Sequence, residues 1–281
     1  GMEEFNSTFL AFFKEAQFTK DLLAVGVTQL YKANYAVQGL YYQSFSCLSV
    51  GLERMEKLCL ILDYYIENGG ELPPEKEVRG NGHRLASLFD KCRQIAKKQN
   101  ISFHFVFEYD DIHRAVLQVL DDFADSPGRY ANLNLLTKSA DGEEKEKKRE
   151  KDCARKWCET VDTALYEKRV CERRKSRIHR NARIIGREMA AFTEALFFTE
   201  DGKTLTDLTE ASARTGIWQA VAPYRQLYVL QIARYLTELI EALGYLGISL
   251  GRMEIPLFSE IFGLFYNEDS YFLGRKTWDT L

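Results

Sequence analysis

The longest helical pattern in this chain is residues 24–68, AVGVTQLYKANYAVQGLYYQSFSCLSVGLERMEKLCLILDYYIEN. Apolar residues recur through it at the spacing of an amphipathic helix. Gly69 and Gly70 follow, and glycine takes the left-handed conformation that closes a helix. The pattern therefore predicts one long helix from Ala24 to Asn68. Because only comparable helices can cover such a face, the sequence predicts an all-α long-helix bundle.

The composition is that of an ordered globular protein. Of the 281 residues, 46% are hydrophobic and 28% are charged, which is enough apolar surface for one large helical domain or two small ones. Only five residues are proline, which favours long uninterrupted helices. The formal net charge of −3 does not by itself indicate a polyanionic partner.

Helical spacing continues on both sides of this stretch. It predicts helices within 3–20, from His83 to Cys92, and from Asp110 or Asp111 to Phe123. Residues 101–107 instead alternate apolar and polar positions, so they form either one short strand or a buried extended linker. We assign residues 3–137 to a helical bundle.

The second half of the chain is also predicted to be helical. Residues 138–152 are nearly all charged or small, which is typical of a mobile connection or an exposed helix start. Residues 153–281 form an additional C-terminal helical half, either as a separate unit or packed into the same domain. Within it, Gly216 is expected to interrupt a helical region over 206–246, and Pro223 to start or kink a helix.

The sequence offers no pattern for a metal or a cofactor. Six cysteines occur without a Cys-x-x-Cys pair, and no histidine lies three to five residues from another. We therefore predict free thiols in a reduced, cytoplasmic compartment, with no metal and no cofactor. The N-terminus lacks a secretion-signal pattern, and no apolar run is long enough to span a bilayer, so no membrane partner is expected.

The strongest local charge anomaly is a run of basic residues over 168–187, opposed within that window only by Glu172. On one continuous helix, six arginines would share a stripe about a third of the circumference wide. Such a stripe indicates phosphate-backbone binding, here of RNA. It is also typical of a solvated helix face, or of one paired with acidic residues elsewhere in the fold. The six candidates are Arg169, Arg173, Arg177, Arg180, Arg183 and Arg187.

Two short motifs in the first 125 residues resemble the opening of HEPN-type bacterial helical domains. They are SVGLERMEKL at 49–58, on a long helix, and GHRLASL at 82–88, at the start of the next. The resemblance implies an RNA-associated or defence-related protein, for example one of a toxin–antitoxin pair, and a two-fold homodimer. We expect the aromatic residues Tyr41, Tyr42 and Phe45 to contribute surface for that dimer.

Catalytic members of that superfamily carry an arginine and a histidine separated by four to six residues, and Arg174 and His179 fit that spacing. In that reading the protein is a metal-independent endoribonuclease, with Arg174 on the scissile phosphate and His179 as acid or base. On an uninterrupted helix, however, five residues rotate the two side chains about 140° apart. The leading prediction is therefore a non-catalytic RNA-associated protein, and a helical scaffold for an unknown protein partner is a third possibility.

Overall fold

A computed structural model of the protein describes residues 6–137, 142, 152–189, 197–202, 204–205 and 208–279. Helices dominate these residues, which confirms the all-α prediction. The predicted linker 138–152 lies outside the described residues apart from Gly142 and Asp152. Within the described part, no helix combines the length and the apolar character needed to cross a membrane.

The elements follow one another along the chain in a fixed order. The N-terminal half contains α1 (Ser7–Lys32), α2 (Gly39–Glu67), α3 (Glu75–Gly80), α4 (Leu85–Lys98), α5 (Asp111–Ala124), α6 (Ser126–Arg129) and α7 (Ala131–Leu135). The C-terminal half contains α8 (Cys153–Lys156), a π-helical turn (Trp157–Asp162), α9 (Thr163–Arg169), α10 (Glu172–Met189), β1 (Phe197–Phe198), β2 (Thr204–Leu205), α11 (Leu208–Ser249), α12 (Phe258–Phe262), a 3₁₀ turn (Gly263–Phe265) and α13 (Asp269–Gly274).

The single helix predicted from Ala24 to Asn68 is wrong, because the chain reverses between Lys32 and Gly39. Ala33 takes an extended conformation, with φ −62° and ψ 128°. The Asn34 side chain then accepts a hydrogen bond from the Ala36 amide at 2.8 Å, which is the local bond of an Asx turn. Apolar spacing continues across the turn because both helices face the same core, so periodicity alone could not reveal it.

Glycines let α1 and α2 pack closely as an antiparallel pair. A Cβ at Gly26 would lie 2.7 Å from Leu48 Cγ, and one at Gly51 would lie 2.9 Å from Leu23 Cδ2. Gly26 of α1 meets Leu48 of α2, and Leu23, earlier in α1, meets Gly51, later in α2. Residue numbers that run in opposite directions in this way show that the two helices are antiparallel. Both glycines therefore sit where any side chain would push the helices apart.

The helix α11 runs through the centre of the bundle. Every residue from Arg225 to Leu230 is buried, as expected for a helix covered on all sides. It packs against α1, α2, α5 and α10, so residues of both halves share one core. The predicted interruption at Gly216 is wrong, and Pro223 neither starts the helix nor ends it. Tertiary packing offsets the hydrogen bond that proline removes.

Contacts with α11 decide the structure of residues 101–107. These residues form an extended linker and no strand, but the linker is only partly buried, because exposed and half-buried positions alternate along it. The Glu238 carboxylate accepts the His104 amide at 2.6 Å, and the Phe103 ring stacks on Tyr235. The short antiparallel strand pair lies elsewhere, where Phe197 pairs with Leu205.

The three aromatic residues expected at a dimer surface are mainly interior. Tyr41 and Phe45 are fully buried, and Tyr42 is half-buried. The Phe45 ring lies 5.6 Å from that of Phe123 and 5.7 Å from that of Trp157. These rings therefore form core and do not support the dimer prediction. All six cysteines lie in the described part of the chain, and none of them forms a disulfide bond there.

Candidate functional site

The arginine-rich segment is divided between two helices. Val170 takes an extended conformation, with φ −93° and ψ 123°, so α9 ends at Arg169 and α10 begins at Glu172. The inner edge of α10 is formed by Ile178 and Ala182, which are 9% and 1% exposed. This edge packs on α11 at Gly216, where a Cβ would lie 2.7 Å from Ile178 Cγ2. One side of α10 is thereby fixed against the protein.

The opposite side of α10 carries a continuous arginine surface. Rotation of about 100° per residue places five arginine positions within an arc of about 120°, centred roughly opposite Ile178 and Ala182. None of the five has an acidic partner within 4 Å among the residues that the structure describes. We call this the arginine face, and it consists of the exposed residues Arg173, Arg177, Arg180, Arg183 and Arg187.

Arg169 does not belong to this face, contrary to the prediction. Its Nη2 donates to the Tyr228 hydroxyl at 3.1 Å, and its guanidinium lies 5.8 Å from the Tyr224 ring centroid. The reason is the break at Val170, which sets Arg169 on a different axis. The remaining arginines lie on one uninterrupted helix.

Beside Arg169, a polar cluster fixes the start of α5. Burial disfavours ionisation of Asp110, but a 2.7 Å hydrogen bond from Lys168 and the His113 amide hold its pKa at about 2. Asp110 and His113 form a capping box. Burial lowers the pKa of His113, whose Nε2 lies 2.7 Å from Gln231 Oε1. This cluster joins α5 to α11.

The structure does not bring Arg174 and His179 together within one chain. The helix α10 is uninterrupted from Glu172 to Met189, so the two side chains remain about 140° apart on its circumference. His179 is exposed, whereas Arg174 is half-buried on the other flank of the packed edge. A single phosphate could not touch both. Within the described residues, no group of three or more metal-binding side chains exists either.

Sequence reasoning missed a buried ionic cluster centred on Arg225. This arginine is 1% exposed, and all five of its N–H donors are used. Its Nε and Nη2 bind the Asp162 carboxylate at 2.8 and 2.5 Å, and Nη2 also reaches the Tyr41 hydroxyl at 2.9 Å. Its Nη1 donates to the carbonyls of Leu30 and Ala33, at 3.0 and 2.6 Å, and so caps the end of α1. We call this group the Arg225 clamp.

The electrostatics of the clamp follow from burial and from the ion pair. Burial by itself lowers the pKa of Arg225, but the Asp162 and Tyr41 groups raise it above its usual range, so the guanidinium stays charged. Burial raises the pKa of the neighbouring Cys158 thiol, which therefore stays protonated and is no activated nucleophile. The only sequence signal for the clamp was a charged residue inside the apolar pattern of a helix.

A cavity of about 200 Å³ adjoins the clamp. The side chains that matter for its chemistry are Tyr35, Tyr166, Glu200, Arg214, Trp218 and Arg225. The Tyr166 hydroxyl and Glu200 Oε2 are both buried without a hydrogen-bond partner among the described residues. Arg214 Nη1 approaches that Oε2 only to 4.0 Å. The cavity thus combines aromatic walls with two polar atoms that lack partners.

No protein-family model, no curated protein and no solved structure matches this chain.

Proposed function

We propose that this protein binds RNA through the arginine face of α10, by contacts to the phosphate backbone and with little sequence preference. The observation that supports the proposal is the exposure of five arginines on one side of an uninterrupted helix. Guanidinium groups match phosphate oxygens with paired N–H donors. The arginines of this face have no acidic partner among the described residues, so none of those residues competes with a phosphate for them.

The location of the arginine face also favours a ligand outside the chain. Its five positive charges belong to a protein with a formal net charge of −3, so the local charge differs in sign from that of the whole molecule. The opposite edge of the helix is packed on α11 through Ile178 and Gly216. A phosphate chain would therefore meet a helix whose backbone is already positioned, so that binding would need to order only the arginine side chains.

The binding function is proposed as non-catalytic. Cleavage by Arg174 and His179 would need the histidine of one chain beside the arginine of another, because α10 separates the two within a chain. The resemblance to HEPN-type domains adds a proposed two-fold dimer and a defence-related role in the cytoplasm. Light scattering should return twice the mass of one chain, and a monomer at all concentrations would contradict the dimer.

The decisive measurement is the salt dependence of RNA affinity, followed by fluorescence anisotropy with a single-stranded RNA. If all five arginines contact phosphates, log K should fall with log salt at a slope of about −3.5, because single-strand binding releases about 0.7 counterion per neutralised phosphate. Affinity that does not change with salt would contradict the proposal.

A charge reversal separates this surface from general electrostatics. The triple variant Arg173→Glu, Arg177→Glu, Arg180→Glu should lose RNA binding while its thermal unfolding stays unchanged, since exposed charges contribute little to stability. The matched control reverses three exposed lysines on other helices, Lys14, Lys76 and Lys97. It changes net charge equally and should retain most of the binding. Equal loss in both variants would mean that no specific face exists.

The variant His179→Ala tests the ribonuclease alternative. Under the proposal it binds RNA as the unaltered protein does, and neither protein cleaves it. If the unaltered protein cleaves RNA and His179→Ala does not, the proposal is wrong and the endoribonuclease hypothesis takes its place.

A further inference from the structure

The cavity beside the Arg225 clamp has the polar pattern of a site for one flat, hydrogen-bond-donating ring system. Glu200 is 9% exposed, and its Oε2 is buried without a hydrogen-bond partner among the described residues. Burying a carboxylate oxygen in this way costs free energy of folding. Its other oxygen, Oε1, accepts a bond from the Tyr41 hydroxyl at 3.2 Å. Tyr41 in turn is held by Arg225, so the orientation of the Glu200 carboxylate is tied to the clamp.

The walls suit a planar ligand. The Trp218 indole is fixed by a 2.9 Å hydrogen bond from its Nε1 to the Tyr31 carbonyl. The Tyr35 hydroxyl is fixed by Thr215 Oγ1 at 3.0 Å. Aromatic rings held in this way are stacking platforms for a base, because every base has a π-face. At about 200 Å³ the cavity is smaller than sites for drug-sized ligands, which begin near 300 Å³.

The order of donors and acceptors selects among the bases. Guanine presents two adjacent N–H donors, on N1 and on the 2-amino group, next to the O6 acceptor. A carboxylate accepts both donors, and an arginine at its side can donate to O6. Adenine and cytosine place a ring-nitrogen acceptor beside their amino group, and uracil places its one N–H between two carbonyls. Each of these three would set a lone pair against Glu200.

We propose that this cavity binds a guanine base, with Glu200 as acceptor for N1–H and the 2-amino group, Arg214 as donor to O6, and Trp218 as a stacking wall. The inference deepens the proposed RNA binding and rests on it for the source of the base. The cavity adjoins α10 on its packed side, since the Lys175 ammonium of this helix lies 5.0 Å from the Tyr166 ring centroid. A base from a bound strand and the base of a free guanine nucleotide share the same chemistry.

Calorimetric titration of the whole protein with GMP, IMP and AMP tests the pocket directly. GMP should bind, and IMP, which lacks only the 2-amino group, should bind about tenfold more weakly or worse, because one charge-assisted hydrogen bond is lost. AMP should give no heat at the same concentrations. Equal affinities for the three nucleotides, or no heat with GMP, would overturn the inference and leave water as the content of the cavity.

The variant Glu200→Gln should bind GMP at least about tenfold more weakly and no longer distinguish it from IMP, since an amide accepts at one atom only. Glu210→Gln is the matched control, because Glu210 is an exposed glutamate in the first turn of α11. It should behave as the unaltered protein. If Glu200→Gln does not fold, the comparison of GMP with IMP on the unaltered protein decides alone.

RNA oligonucleotides separate this inference from the proposed function. A single guanosine within an oligoadenylate should strengthen binding relative to the same strand with inosine at that position. The triple arginine variant should lose both strands but keep GMP. Salt-dependent RNA binding without preference for GMP over IMP would refute the pocket and leave the arginine face standing. Discrimination of GMP from IMP without RNA binding would refute the arginine face and assign the pocket to a free nucleotide.

Discussion

Replacing Arg225 by Met should destabilise the protein far more than a typical single substitution. The change removes all five N–H donors while keeping a similar apolar stem. It leaves the Asp162 carboxylate, which is 9% exposed, without its cation, and the carbonyls of Leu30 and Ala33 without their donor. Only the 3.0 Å bond from the Trp157 indole would remain on Asp162 Oδ1.

The magnitude follows from the unpaired charge. Breaking a buried ion pair by removing one partner costs about 3–5 kcal/mol. Each orphaned carbonyl would add about 1–3 kcal/mol if water could not reach it. The neighbouring cavity admits water, so we expect the total to stay at about 3–5 kcal/mol. At about 2–4 °C per kcal/mol, the melting temperature should fall by about 6–20 °C.

Equilibrium unfolding in urea, followed by circular dichroism, measures this cost in a double-mutant cycle with Asp162→Asn. The double variant carries no unpaired charge, so it should lose clearly less stability than the sum of the two single variants. An Arg225→Met cost below about 1 kcal/mol, the size of an exposed pair, would refute the reasoning. Strict additivity in the cycle would refute it as well.

Two further predictions concern the core. Burial raises the pKa of Glu56, and neither of its carboxyl oxygens has a hydrogen-bond partner among the described residues, so the folded protein favours the protonated form. The pKa of Glu56 is therefore higher in the folded protein than in the unfolded chain. Its contribution to stability is complete below the unfolded pKa, about 4.3, and is lost as the pH rises through the folded pKa. In urea unfolding, the stability of Glu56→Gln relative to the unaltered protein should therefore increase between pH 4 and pH 8. The control Glu71→Gln, at an exposed position, should show no such increase. A stability difference between Glu56→Gln and the unaltered protein that does not change with pH would contradict this. Gly26→Ala should lower the melting temperature although alanine is the better helix former by about 1 kcal/mol, because its Cβ would meet Leu48 at 2.7 Å. Gly39→Ala, with nothing within 4 Å of the added Cβ, should be neutral or stabilising, and equal effects of the two substitutions would show that the close approach of α1 and α2 does not matter.

The arginine face shows how far sequence reasoning reached at the candidate site. Helical spacing alone aligned five of the six proposed arginines, because all five lie within the uninterrupted helix α10. Helical spacing gave the wrong position for Arg169, because no proline or glycine marks the helix break at Val170 in the sequence. The 140° separation of Arg174 and His179 was also predictable, because it depends only on helix geometry.

Local pattern determined what depends on local physics in this protein. Helix formation and the end of α2 just before Gly69 and Gly70, both of which have positive φ, follow from spacing and residue type, which act within a few residues. The reversal between α1 and α2, the cavity and the Arg225 clamp were decided by the tertiary structure. Arg225 meets Asp162, Leu30 and Tyr41 across separations of 63 to 195 residues, and such partners are chosen by how whole helices pack. A charge placed in an apolar pattern is costly until the fold supplies its partners, so its role is defined only in three dimensions.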